Sequence, residues 1–439
     1  MRNAVRLAIL SVLAIATAAP LAAQAPAQVP AELSLLGAVQ LGRQQAVSAT
    51  LANLSALTAR EKVGIRRAEL LPQIAASGAL ARQTVNLEQF GFPGAVGVTP
   101  PFTLYELQVR ASQVLFDASM IERLKSASDS AKVAGLDAQH VGSLAGAAAG
   151  LAYLRVLAAG ETVDARKADS AIAATLLAQA RQFQAAGVTP AIDLTRNEVN
   201  ARAVQAELLS ARNEFGRARL DLLRILNLPL DASLSLTDSL GTGPVDVPLA
   251  PDSAVAFALA HRTDVTAEAG RTEVARRNLK AISNEYLPSL GVQGQMTHSG
   301  QEIDRMLGSY TLMVGVQLPV FDGLRRQRRE SEQAIRLEAQ ELRQRDLSRQ
   351  AEQEVRRSLL DLGTAEAAVT LATDRLELAT LELRQARERF DAGVAGSVET
   401  TQAQAVVVAA RNALIQARAG YGVARITLYQ SLGILDRLQ

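Results

Sequence analysis

Two stretches decide the reading: Tyr105-Glu106-Leu107-Gln108-Val109-Arg110, running on to Val114-Leu115-Phe116-Asp117, and Tyr310-Thr311-Leu312-Met313-Val314, running on to Pro319-Val320-Phe321-Asp322. In both, apolar and polar residues alternate, which is the period of a strand with one apolar face. The second repeats the first 205 residues later at the Tyr, Leu, Val, Phe and Asp positions. Working outward, Leu71-Pro72-Gln73-Ile74 precedes the first stretch and Leu287-Pro288-Ser289-Leu290 the second. Beyond them, Gly187-Val188 recurs as Gly393-Val394, Ala211-Arg212 as Ala417-Arg418, and Ala218-Arg219 as Ala424-Arg425, all at an offset of 206. One offset held over that distance makes the chain a tandem duplication. The loop between the Pro and the Tyr is eleven residues longer in the first half.

Each half then reads as short helix, two strands, long helix, turn, short helix. Helical patterns cover 33–70, 118–186 and 192–227 in the first half, and 252–286, 323–392 and 398–434 in the second. At 1.5 Å per residue the central helices are roughly 100 Å long and the flanking ones roughly 55 Å, so two flanking helices end to end match one central helix. Such lengths cannot fold back into an ordinary globule. Their Leu, Ala and Val, interleaved with Arg, Glu and Gln, fit laterally packed coiled-coil neighbours. The predicted division is a signal peptide over 1–23, a first repeat over 24–230 with a hairpin at 72–116 and a tip at 187–190, an equatorial linker over 231–251, and a second repeat over 252–439 with a hairpin at 288–320 and a tip at 393–397.

Composition agrees with this. The 439 residues are 48% hydrophobic yet contain no Trp and only fifteen Phe and Tyr, so the apolar content is mostly small and aliphatic. A net charge of +2 gives no basic face for nucleic acid. With no Cys there is no disulfide, thiolate metal site, Cys nucleophile or lipid on an N-terminal Cys. Arg2 and Arg6, the apolar run from Leu7 to Ala19, and the small residues from Pro20 to Ala25 form the three parts of a secretory signal, cleaved near Ala23. The later apolar stretch Val141 to Gly160 contains Arg155 and is rich in Gly and Ala, which fits close helix packing better than a membrane span.

Ten-residue segments with one apolar face and flanking aromatics are the pattern of an outer-membrane β-barrel, although alternation alone fits a half-buried soluble sheet equally well. Export and the long helices favour the membrane. Four strands cannot close a barrel, and open edges are not tolerated in lipid. The chain therefore has to oligomerise, and a trimer supplies twelve strands.

At this point the chain resembles the TolC-like outer-membrane efflux proteins, also called outer-membrane factors. The resemblance rests on the duplicated Leu-Pro, on Val114 to Asp117 and Pro319 to Asp322, on Arg262-Thr263-Asp264, and on the Gly-Val turns, and it covers the whole mature chain. It implies a mainly α fold: a homotrimeric long-helix α-barrel in the periplasm, continued by a transmembrane 12-stranded β-barrel with four strands per chain. The implied partners are outer-membrane lipid, a periplasmic adaptor and an inner-membrane transporter, in an efflux or type I secretion system.

The turns at Gly187, Val188, Thr189 and Pro190, and at Gly393, Val394, Ala395, Gly396 and Ser397, read structurally as helix C-caps followed by new helix starts. The resemblance makes them the periplasmic mouth and the adaptor-docking tips. It also matches Asp193 to a family Asp in the contacts that close the entrance, and Glu399 to a family Asp that forms an acidic ring. By the residues alone, Asp193 is an acid favoured in the first turn of a helix. Phe390 stands in place of a family Tyr and Ala395 in place of a family Arg, so closure is expected to rely on apolar narrowing near Phe390. Arg325, Arg326, Arg328 and Arg329 read as a solvated face paired to Glu330 and Glu332, or as a contact with anionic lipid. Met296, His298 and Met306 lack the spacing of a metal site. No nucleophile, base or phosphate-cradling motif suggests catalysis, and no cofactor is expected. The competing reading is an exported coiled-coil stalk or adhesin anchored by its hairpins, with no through-channel.

Overall fold

The computed structural model describes residues 32–90, 97–187, 190–241, 243, 245, 247, 250–392, 394 and 397–438. The signal segment and Val188, Thr189, Gly393, Ala395 and Gly396 of the tips lie outside the described residues. In chain order the elements are β1 (Glu32–Leu33), α1 (Leu35–Gln45), α2 (Val47–Ala68), β2 (Gln73–Gln83), β3 (Phe102–Phe116), α3 (Ala118–Ala185) and α4 (Ala191–Ile225). The second half runs β4 (Ser235–Leu236), α5 (Pro251–His261), α6 (Thr263–Ser283), β5 (Ser289–Gly300), β6 (Leu307–Gln317), α7 (Arg325–Asp391) and α8 (Ser397–Ser431).

The duplicated Asp residues start the two long helices. Asp117 caps α3, its Oδ1 accepting from the Met120 amide at 3.0 Å. At α7 the N-cap is Leu324, with φ +67°, and Asp322 two residues earlier accepts from the Arg326 amide at 3.2 Å. From these starts α3 runs 68 residues and α7 runs 67, each about 100 Å.

Each flanking helix expected over 33–70 and 252–286 is broken in two by a single extended residue, Ala46 with ψ 139° and Arg262 with ψ 121°. Neither break contains Gly or Pro, so no local signal marks it. At the second, the break is held by Arg262, whose buried guanidinium donates to Asp264 at 2.7 and 3.1 Å and to Glu354 at 2.6 Å. Gly433, at φ +77°, faces this break, and a Cβ added there would come within 3.1 Å of the Arg262 backbone.

Four strands form one antiparallel sheet in the order β2-β3-β5-β6. Its register sorts the side chains into two faces. Ile74, Leu80, Tyr105, Leu107, Val109, Met296, Val292, Tyr310, Leu312, Val314 and Val316 share one face, while Ser77, Glu106, Gln108, Arg110, Gln293, Gln295, Thr297 and Thr311 share the other. Tyr310 is 85% exposed, so the apolar face has no cover within the chain.

The helices repeat this lateral order. α1, α2 and α4 pack on one side of α3, α6 and α8 lie between α3 and α7, and α5 packs on α7. The seams use small residues. Gly42 of α1 lies so near α3 that an added Cβ would come within 2.6 Å of the Ala149 side chain, and one on Gly146 within 2.9 Å of the Val39 carbonyl. This close contact explains the apolar stretch in α3, which is long enough to cross a membrane but is half buried inside the chain. Bulky side chains gather in two clusters: Tyr153, Leu222, Leu223 and Leu226 within the first half, and Val355, Ile426, Tyr429 and Leu432 where the second half meets Val39, Ala147 and Leu154 of the first.

The segment read as an equatorial linker contains β4, which pairs in parallel with β1. Tyr153 ties this pair to α3, its hydroxyl lying 2.8 Å from Asp238 Oδ2 and 3.0 Å from the Leu33 carbonyl. Burial, with Asp238 beside it, pushes the Tyr153 hydroxyl up to about 12.

Candidate functional site

Two regions carry the functional expectations: the end of the molecule where α3 turns into α4 and α7 into α8, and the junction between sheet and helices. At the first turn Gly187 adopts φ +72°, a left-handed conformation that ends α3, with its amide donating to the Gln184 carbonyl at 3.0 Å. Pro190 then stands at the N-cap of α4 with φ −63°. At the second turn the amide of the exposed Val394 donates to the Arg389 carbonyl at 3.0 Å, and α8 begins at Ser397.

Asp193 lies in the first turn of α4, 3.7 Å from Arg196. Glu399 lies in the first turn of α8 and pairs across the turn with Arg389 at 2.9 Å. Asp193 and Glu399 thus each face an arginine of their own chain. Sequence reasoning passed over Arg389 because its partner is ten residues away on the far side of a turn. Phe390 occupies the last turn of α7 and is half-buried. A cleft of about 290 Å³ between α4 and α8, lined by Arg196, Asn197, Asn200, Val398, Thr401 and Gln402, places the two helix starts side by side.

Below the sheet the arginine cluster is wired differently from the expected pairing with Glu330 and Glu332. Arg326 is buried, and donates to Asp322 at 3.0 Å and to the carbonyls of Glu285 and Pro319 at 3.1 and 2.9 Å, with its guanidinium over the Tyr286 ring. Arg329 and Arg123 both pair with Glu285, whereas Glu330 accepts from Ser283 and Glu332 pairs with Arg336. The sequence could not supply this, because Glu285 enters from α6 and its own short extension. Arg326 also holds the Asp322 carboxyl below its usual range, outweighing the desolvation that acts first in the other direction.

In both layers the arrangement leaves two unlike edges. One is formed by β2, α2 and α4, with Leu51, Leu54, Ile65, Val199 and Leu209 exposed. The other is formed by β6 and α7, with Ile335, Leu342, Leu360 and Leu378 exposed along the helix. Two different apolar edges on one chain suit head-to-tail assembly into a ring.

The comparisons with known proteins agree with this geometry. A family model described as outer membrane efflux protein matches residues 39–228 and 255–434, one segment in each half. The outer membrane efflux protein BepC of Brucella suis biovar 1 (strain 1330) is 25% identical over 390 residues, which span 85% of this chain and 79% of BepC. Among solved structures, the Campylobacter jejuni CmeC outer membrane channel superposes with a TM-score of 0.79 at 15% identity, over 91% of this chain and 85% of that one. The open state of the Neisseria gonorrhoeae MtrE outer membrane channel gives 0.67 at 19% identity, over 91% and 88%. At these identities the structures show the shared fold.

Proposed function

The chain belongs to the outer membrane efflux protein family, and we propose that three copies close head to tail into a single conduit through the outer membrane and into the periplasm. It is an outer-membrane efflux channel, which removes the stalk without a channel as the competing reading. The observation that carries the trimer is the common lateral order of sheet and helices. Three copies turn four strands into twelve and leave no strand edge in lipid. The apolar sheet face then meets lipid and the polar face, with Glu106, Gln108 and Arg110, lines the lumen.

The helix tips at 187–190 and 393–397 form the periplasmic mouth and dock on a periplasmic adaptor, which connects the conduit to an inner-membrane transporter. Asp193 and Glu399 line this mouth. With Arg196 and Arg389 beside them, their charge is partly answered within the chain, so closure relies on narrowing around Phe390.

Single-channel recording of the purified full-length protein in planar bilayers tests this. Asp193→Ala or Phe390→Ala should raise the open fraction, and unchanged conductance and gating in both would contradict the gate assignment. Cross-linking through Thr189→Cys should capture an adaptor.

A further inference from the structure

The arginines below the sheet fall into two groups once their partners are assigned. Arg326 is taken by Asp322, and Arg123 and Arg329 by Glu285. Arg325 and Arg328 are exposed, and neither has a carboxylate within ion-pair distance among the described residues. Arg325 only adds to the field on Asp322, which Arg326 already neutralises. Both stand at the start of α7, a helix with no acid in its first turn. Cations are disfavoured at a helix N-terminus, so the helix itself gives no reason for them. A local rule broken without a compensating contact inside the chain points to a contact outside it.

The opposite edge repeats the charge at the corresponding level. The last turn of α2, just before β2, carries Arg66 and Arg67. Arg66 pairs with Glu69, while Arg67 is exposed and has no described ion pair. Head-to-tail closure sets this edge against the α7 edge of the next copy, so Arg67 of one chain and Arg325 and Arg328 of the other converge at every seam. The acids nearby do not answer them. Glu69 and Asp322 are paired, Glu330 accepts from Ser283, and Glu332 pairs with Arg336. Glu61 lies about 9 Å farther down α2 by helical rise, with Arg60 and Lys62 beside it.

Between these arginines and the strands lies an apolar band: Leu71 on one edge, and Val320, Phe321 and Leu324 on the other, with Val320 87% and Phe321 79% exposed. Passing from the sheet toward the periplasm, apolar surface comes first and unpaired guanidinium second. That is the order of acyl chain and phosphate in the membrane leaflet that faces the periplasm, and guanidinium matches phosphate oxygens in paired hydrogen bonds. A free anion would use only the arginines; a lipid uses both bands.

We propose that each of the three seams holds one anionic phospholipid, its phosphate between Arg67 of one copy and Arg325 and Arg328 of the next, its chains against Leu71, Val320 and Phe321. The inference deepens the proposed conduit and rests on the head-to-tail trimer. The lipid separates like charges that ring closure brings together, so it is a partner in assembly as well as a solvent for the sheet.

The test is native mass spectrometry of the purified full-length trimer in detergent, titrated with phosphatidylglycerol, phosphatidylcholine or inorganic phosphate, with trimer dissociation temperatures read on gels. The wild type should retain up to three phosphatidylglycerol molecules per trimer. The triple variant Arg67→Gln, Arg325→Gln and Arg328→Gln should bind them about tenfold more weakly or worse, the loss expected for one charge-assisted hydrogen bond. Arg384→Gln, at an exposed arginine about 90 Å farther along α7, should change nothing. In lipid-free detergent the triple variant should dissociate at no lower a temperature than the wild type, because it removes repulsion; a lower temperature, or loss of the trimer, would make the arginines structural contacts and overturn the site. Undiminished phosphatidylglycerol binding by the triple variant would overturn it too, as would equal binding of phosphatidylcholine or an equal gain in dissociation temperature from inorganic phosphate. A wild-type trimer that retains no lipid defeats the site alone, whereas a monomeric wild type defeats the head-to-tail reading with it.

Discussion

Arg262 shows how much one side chain can hold in this architecture. It sits at the break between α5 and α6, buried, and neutralises Asp264 and Glu354 while Gly433 faces its backbone. Burial by itself would raise the Asp264 carboxyl; the hydrogen bonds and charge of Arg262 outweigh it, with His140 adding to the effect, and the group ends below its usual value. Because the folded value is depressed, this contribution is full at pH above the ordinary carboxylate value and is lost as pH falls through the lower folded value. Arg262→Ala should cost about 3 kcal/mol at neutral pH, the range for stripping a partner from a buried pair. It should also reverse the local pH response, since Asp264 would then be relieved by protonation. Thermal dissociation of the trimer followed from pH 7 to pH 4 checks both: the deficit should shrink on acidification, and a constant deficit would contradict the assignment. Only the Arg-Thr-Asp triplet was visible in the sequence. Its partner Glu354 stands 92 residues away, and the same distance problem hid the role of Glu285, while the partner of Arg389 lies across a turn.

At the scale of elements, the strands and long helices were legible because each carries its own period over many residues, and the duplication supplied an internal check. The breaks at Ala46 and Arg262 were not, since one extended residue leaves the apolar pattern on either side intact. The two-residue pair β1 and β4 has no period to detect at all. The α1–α3 contact allows a test in which propensity and packing disagree. Ala is a better helix former than Gly by about 1 kcal/mol. Gly135→Ala, on the same helix α3 where an added Cβ meets nothing within 4 Å, should therefore be neutral or stabilising. Gly146→Ala should instead destabilise by about 1–3 kcal/mol, because its Cβ meets the Val39 carbonyl of α1. Equal melting temperatures for the two variants would remove close approach as the reason for the glycine-rich stretch.

For the whole molecule, the aromatic-poor composition is explained by two materials. Eight of the fifteen aromatic residues fall in 72–116 and 286–321, in and around the sheet, while the helices pack through Ala and Gly. In the proposed assembly one chain is a third of a tube wall, with its β2, α2 and α4 edge meeting the β6 and α7 edge of the next copy. The absence of Cys makes this directly testable, since any introduced pair reports without background. The decisive measurement is oxidative cross-linking in isolated outer membranes of Thr311→Cys on β6 combined in turn with Ala75→Cys, Ser77→Cys or Ala79→Cys on β2. The account predicts that at least one combination gives covalent dimers and trimers and nothing larger. A ladder running past three chains, or monomers alone in every combination, would contradict it.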